Sequence, residues 1–188
     1  MANLALKSLT GAGSGTVVSN TNAFPTQTYL SKGILSNQFS LFSGPGAAAW
    51  PVANLAIFVP FRIEASVTGI IRLMAATGGL GNSGNIDLGI YDSAGVKIIT
   101  TGSTVQAASF QIVTIASTNL TGPGLFYMAM ALDNAVGTNH RETSSAQNFQ
   151  LCGLAEQTTA FPLPATATLA SAANNYFPAI GWATWAMV

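Results

Sequence analysis

One histidine, His140, one cysteine, Cys152, and six carboxylates are the residues from which a catalytic or metal site would have to be drawn in this chain of 188 residues. A zinc-type site takes three or four nitrogen, sulfur or oxygen ligands, so a single chain cannot assemble a paired-histidine centre, and only a three-fold axis could gather three copies of His140. His140 stands in Asn139-His140-Arg141-Glu142, which reads as a polar loop suited to a solvent-exposed or inter-subunit ion pair. Cys152 has no partner for a disulfide or a thiolate centre and is expected to pack as a small buried hydrophobe. Of the acids, Asp92 and Asp133 read as turn or loop starters, while alternation turns Glu64 and Asp87 toward solvent. No serine stands in a G-x-S-x-G elbow, and a Ser-His-Asp arrangement would depend on His140 alone. The chain is therefore expected to be no enzyme, with no catalytic residue, no cofactor and no metal.

Two further motifs lose their chemistry in context. Residues 79–84, GLGNSG, satisfy G-x-G-x-x-G but lead into a strand at Ile86, and without a helix N-terminus there is no phosphate cradle. Asn119-Leu120-Thr121 matches a glycosylation acceptor and reads better as the approach to the turn at Gly122. Trp50, Trp182 and Trp185, with Phe24, Tyr29, Tyr176 and Phe177, could form a sugar-stacking platform, although core and interface packing is the commoner use of such a set.

The elements that must carry these residues follow from composition and period. Charged residues make up 6% of the chain, against about 25% in ordinary soluble domains, while 49% are hydrophobic and the formal net charge is zero. Such a surface lacks the repulsion that separates monomers, so much of it is expected to lie against protein, in the first place against copies of itself. Six scattered basic residues make no stripe for a phosphate backbone, which argues against nucleic acid as a partner. Pro, Gly, Asn, Ser or Gln interrupt every long uncharged stretch, so no transmembrane helix is expected. Residues 1–10 lack a basic start followed by a compact apolar run, so neither a secreted nor an outer-membrane barrel protein is expected, and no membrane partner.

Residues 1–33 are rich in Gly, Ser, Thr, Asn and Ala and read as an extended arm whose anchors are Leu4, Leu6, Leu9, Phe24 and Tyr29. These five, with Trp50, Trp182 and Trp185, are the candidate assembly interface. From residue 34 to 188 the period is two, which predicts one sandwich domain. Leu35, Phe39 and Leu41 share one face, and Leu55, Ile57, Val59, Phe61 and Ile63 another, with Pro60 marking an edge or bulged strand. Further strands are predicted at 67–74, 85–91, 96–100, 110–116, 125–133, 148–154 and 181–187. In residues 92–95, Asp92 and Gly95 supply a hairpin turn, and residues 125–133 are apolar on both faces, as a central strand requires. With no amphipathic helix of three turns, the fold class is all-β: a jelly-roll-like antiparallel sandwich of about eight or nine strands.

The runs FVPFRIEASVTGIIRL (58–73), GNIDLGIYDSAGVKI (84–98) and LTGPGLFYMAMALD (120–133) resemble tailed-bacteriophage virion proteins. Head-decoration, cement and tail-fibre proteins of that kind carry a hairpin and a Pro-Gly-led strand like those at 84–95 and 123–129, with Phe126 standing here where a tyrosine is usual. The resemblance implies a homotrimer on the virion exterior, made in the host cytoplasm, whose arm contacts the major capsid protein or another virion protein and stabilises the shell. The competing reading within the same family is a receptor- or glycan-binding tip of a tail fibre or baseplate.

Overall fold

The computed structural model describes residues 47–78, 83–142 and 146–184. The expected arm, its anchors Leu4, Leu6, Leu9, Phe24 and Tyr29, the strand expected around Leu35 and Phe39, and Trp185 lie outside the described residues.

Where large apolar side chains recur at every second residue, the chain forms long strands: β2 (Ala56–Ile63), β3 (Val67–Ala76), β4 (Asn85–Asp92), β7 (Phe110–Leu120) and β8 (Gly124–Leu132). Shorter strands complete the set: β1 (Ala47–Ala49), β5 (Lys97–Thr100), β6 (Thr104–Val105), β9 (Thr138–Glu142), β10 (Ala155–Gln157), β11 (Ala170–Ser171), β12 (Phe177–Pro178) and β13 (Ile180–Ala183). The large sheet runs β11-β10-β2-β8-β4-β5, with β6 also on β4, and the opposing sheet runs β13-β3-β7; β1-β9-β12 make a third, small sheet. Successive long strands alternate between the two main sheets, and every pairing is antiparallel, so the fold is the expected all-β sandwich.

Strand β8 occupies the centre of the large sheet, between β2 and β4, because both its faces are apolar. Phe126, Met128, Met130 and Leu132 enter the main core with Leu55, Ile57, Val59, Phe61 and Ile63, as alternation predicts. Ala129 and Ala131 face the other way into a second core with Ala56, Phe58 and Tyr91. That second core is closed by residues 158–169, which cross the outer face of the large sheet as an irregular strap and contribute Ala160, Leu163 and Ala167.

Two glycines make room for this strap. A Cβ on Gly89 would stand 2.9 Å from the Leu163 Cδ1 methyl, so a larger residue there would push Leu163 from its seat on β4. Gly95, with φ +79, ends the β4-β5 turn, where its carbonyl accepts the Ala167 N–H at 2.7 Å. The turn itself is held as expected by Asp92, whose Oδ1 accepts from the N–H groups of Ala94 and Val96 at 2.9 and 2.8 Å.

Four expectations are corrected. The strand expected at 148–154 is instead a short helix, α1 (Ala146–Leu151), which buries Phe149 and leaves Leu151 exposed before β10 begins. Asn139-His140-Arg141-Glu142 is no loop but most of β9, paired with β1 and β12. Strand β2 is not at an edge, since β10 pairs with Ala56, Ile57 and Phe58; Pro60 lies past that pairing, where its missing N–H breaks no ladder with β10. Asp87 does not face water: it is 1% exposed, because the strap covers the face onto which alternation turns it.

Candidate functional site

Two of the three tryptophans expected at an assembly interface, Trp50 and Trp182, belong to the chain's own core, each 1% exposed. Trp50 donates from Nε1 to the Leu55 carbonyl at 3.0 Å and meets Tyr176 edge-on, with ring centroids 5.1 Å apart. Trp182 packs beside Phe61 and pairs with Leu73 across β13-β3. Tyr176 and Phe177 are also buried, so none of these four rings is a platform for a sugar.

The carboxylates are dispersed and engaged. Asp87 Oδ2 accepts the Leu163 N–H at 3.0 Å, and its Oδ1 accepts the hydroxyls of Thr100 and Thr101, which ties β4, β5 and the strap together. Tyr91, on the same face of β4, donates to the Pro164 carbonyl at 2.7 Å; burial, and secondarily the Asp87 charge, hold its phenol well above the usual 10.0. Lys97 Nζ donates to the Leu163 carbonyl at 2.9 Å. Glu156, buried on β10, accepts the backbone N–H and side-chain amide of Asn174, both at 2.9 Å. It borders a cleft of about 300 Å³ with Gln157, Thr158, Thr168, Ala170 and Ser171, and Gln157 Oε1 there accepts the Thr168 N–H. These acids pin backbone instead of facing a substrate. Cys152 is half-buried, and burial pushes its thiol up, away from the reactive thiolate. Among the described residues no three His, Cys, Asp or Glu side chains gather to hold a metal.

At one end of the sandwich Asp133 caps two loops, accepting from the Asn85 N–H at 2.9 Å, the Asn85 amide at 2.8 Å and the Asn134 amide at 2.7 Å. Partial burial pushes its carboxyl up, but these hydrogen bonds outweigh that and hold it below the ordinary 3.8. A folded-state value below the unfolded one means stability that is present above about pH 4 and is lost as pH falls through the folded value. Asp133→Ala should therefore unfold at lower denaturant than the parent at pH 7 and show a smaller loss of midpoint between pH 5 and pH 2; an identical acid profile in both would remove Asp133 from this role.

What the surface offers is its lack of charge and one open strand. Of the charged side chains described, Arg62 and Glu64 alone are exposed, and they pair with each other at 3.6 Å; Asp87 and Glu156 are buried and the rest half-buried. The sheet edges are mostly guarded by brevity or covering. β11, β12 and β1 have two or three residues, β12 includes Pro178, and all four residues of β13 are buried. β5 starts at Lys97 and has the strap beside it, where the Lys97 N–H donates to the Ala165 carbonyl at 2.9 Å.

Strand β7 is the exception. It has eleven residues, FQIVTIASTNL, without a charge or a proline, and pairs with β3 on one side only among the described residues. Phe110 and Ile112 are 38% and 39% exposed on its outer face, while Val113 and Ile115 lean half-buried toward the core. A bulge leaves residues 115–117 opposite Ile71, so the regular part of the edge runs from 110 to 114. Its position as an edge could not be read locally, because strand order is set by distant pairings.

No family model, curated protein or solved structure matches this chain.

Proposed function

We propose that the chain is a structural subunit of a tailed-bacteriophage particle, a decoration or cement protein that assembles with itself and with the major capsid protein on the outer shell. The observation that carries this reading is the surface: among the described residues Arg62 and Glu64 are the only exposed charges, the others being half-buried or buried, and the long uncharged strand β7 has a neighbour on one side only, a surface suited to lie against protein. The stretches that resemble phage virion proteins form the β4-β5 hairpin and the central strand β8, so the likeness concerns the framework of the sandwich. A glycan-binding fibre tip is less well supported, because Trp50, Tyr176, Phe177 and Trp182 are buried and the cleft beside Glu156 has no aromatic ring in its walls.

Purified protein at micromolar concentration should scatter light as a homo-oligomer, and a monomeric mass would count against self-assembly. Particles induced from cells carrying the coding sequence should contain this chain in many copies per capsid, lose heat resistance when stripped of it, and regain it on re-addition. A chain absent from the particle, or confined to a few copies at the tail, would overturn the decoration role.

A further inference from the structure

We infer that β7 is a two-fold assembly edge, on which a second copy of this chain adds its own β7 antiparallel and joins the two β13-β3-β7 sheets into one six-stranded sheet. This rests on the reading that the chain self-assembles, and it names the surface that does so.

The partner follows from the strand. A long edge is a hazard that proteins suppress with lysine, proline or a short length; β7 has none of these, while the other edges are short or covered. With no charge anywhere in β7, a second β7 meets no like charge, whatever its direction. The two-fold arrangement centred on Val113 also matches side chains. Val113 faces its own copy, and on the outer face Ile112 faces Thr114, so β-branched residues meet at short cross-strand distance. The bulge at 115–117 ends the regular ladder, which confines pairing to one short central register and blocks endless slippage. Isologous pairing produces even-numbered species: a dimer, or a hexamer where a three-fold contact forms as well.

Two variants test this. Ile112→Lys places a charge on an exposed position of the edge and should raise the dimer dissociation constant at least a hundredfold, with unchanged circular dichroism. Val113→Cys in a Cys152→Ala background should cross-link into a covalent dimer on mild oxidation, since directly paired Cα atoms lie within disulfide reach, whereas Asn119→Cys should not. An Ile112→Lys protein of unchanged oligomeric mass, a pure trimer, or no Val113 cross-link would overturn the β7 interface while leaving self-assembly in place. A monomeric parent protein would overturn both.

Discussion

Asp87→Ala should lower the stability of the chain by about 3 kcal/mol, measured as a shift in urea midpoint at constant slope. The carboxylate is 1% exposed, and it alone receives the Leu163 N–H, a group that has no second option once the strap lies on the sheet. An orphaned buried N–H costs about 1 to 3 kcal/mol. The hydroxyls of Thr100 and Thr101 also lose their acceptor, although Thr101 keeps a contact to the Gly102 carbonyl at 3.0 Å. Leu163 would then be held by packing on Gly89 and by the Lys97 bond to its carbonyl, and the strap should loosen before the sandwich opens. Limited proteolysis should cut within residues 158–169 in the variant at protease levels that leave the parent intact. Asp87→Asn separates geometry from charge: its amide oxygen can still accept from Leu163 while its NH2 donates to the threonine hydroxyls, which accept as well as donate. It should therefore cost only about 1 kcal/mol. Equal losses in both variants would show that the charge, not the acceptor, holds the strap, and an Asp87→Ala protein with parental stability and an intact strap would remove this residue from the account.

The burial of Asp87 marks where local reasoning stops. Alternation in β2 and β8 correctly divides Ile57, Val59 and Phe61 from Ala56 and Phe58, and Met128 and Met130 from Ala129 and Ala131. Period two identifies faces but not what covers them, and a segment whose Leu163 lies 76 residues beyond Asp87 covers the second face here. A usable signal was present in Asp87, Gly89 and Tyr91: a hydrogen-bonding acid, a residue without a side chain and a phenol share one face of β4, which suits the close passage of another backbone. The turn at Asp92 was legible because its chemistry is contained in four residues. The helix at Phe149 was not, because one and a half turns bury a single large side chain and leave no periodicity to count. The edge status of β7 was illegible for a related reason: whether a strand has one neighbour or two depends on sheet order, and β7 looks locally like any half-buried strand.

The tryptophans were visible as large apolar residues but not as core, since aromatic composition serves interfaces equally well. Their placement leads to a contrast that composition would never suggest. Either residue changed to alanine should cost about 3 to 5 kcal/mol, because each is 1% exposed and its removal opens a cavity that a sandwich core fills only in part. Phenylalanine separates them. Trp50→Phe loses the Nε1 bond to the Leu55 carbonyl, leaves that carbonyl short of a partner in a residue that is 1% exposed, and disturbs the edge-on contact with Tyr176. Trp182 Nε1, by contrast, is buried with no hydrogen-bond partner among the described residues, so the folded state already bears the cost of that donor. Trp182→Phe removes the cost together with the ring volume, and the two effects partly cancel. Trp50→Phe should therefore be more destabilising than Trp182→Phe by about 2 kcal/mol, a net hydrogen bond on one side and a relieved orphan on the other. Denaturant titration of both variants at matched protein concentration measures this, because any coupling to self-association then falls on both alike. Equal destabilisation, or a larger loss at Trp182, would mean that the indole N–H of Trp182 finds an acceptor in the folded protein and that its burial is no source of strain.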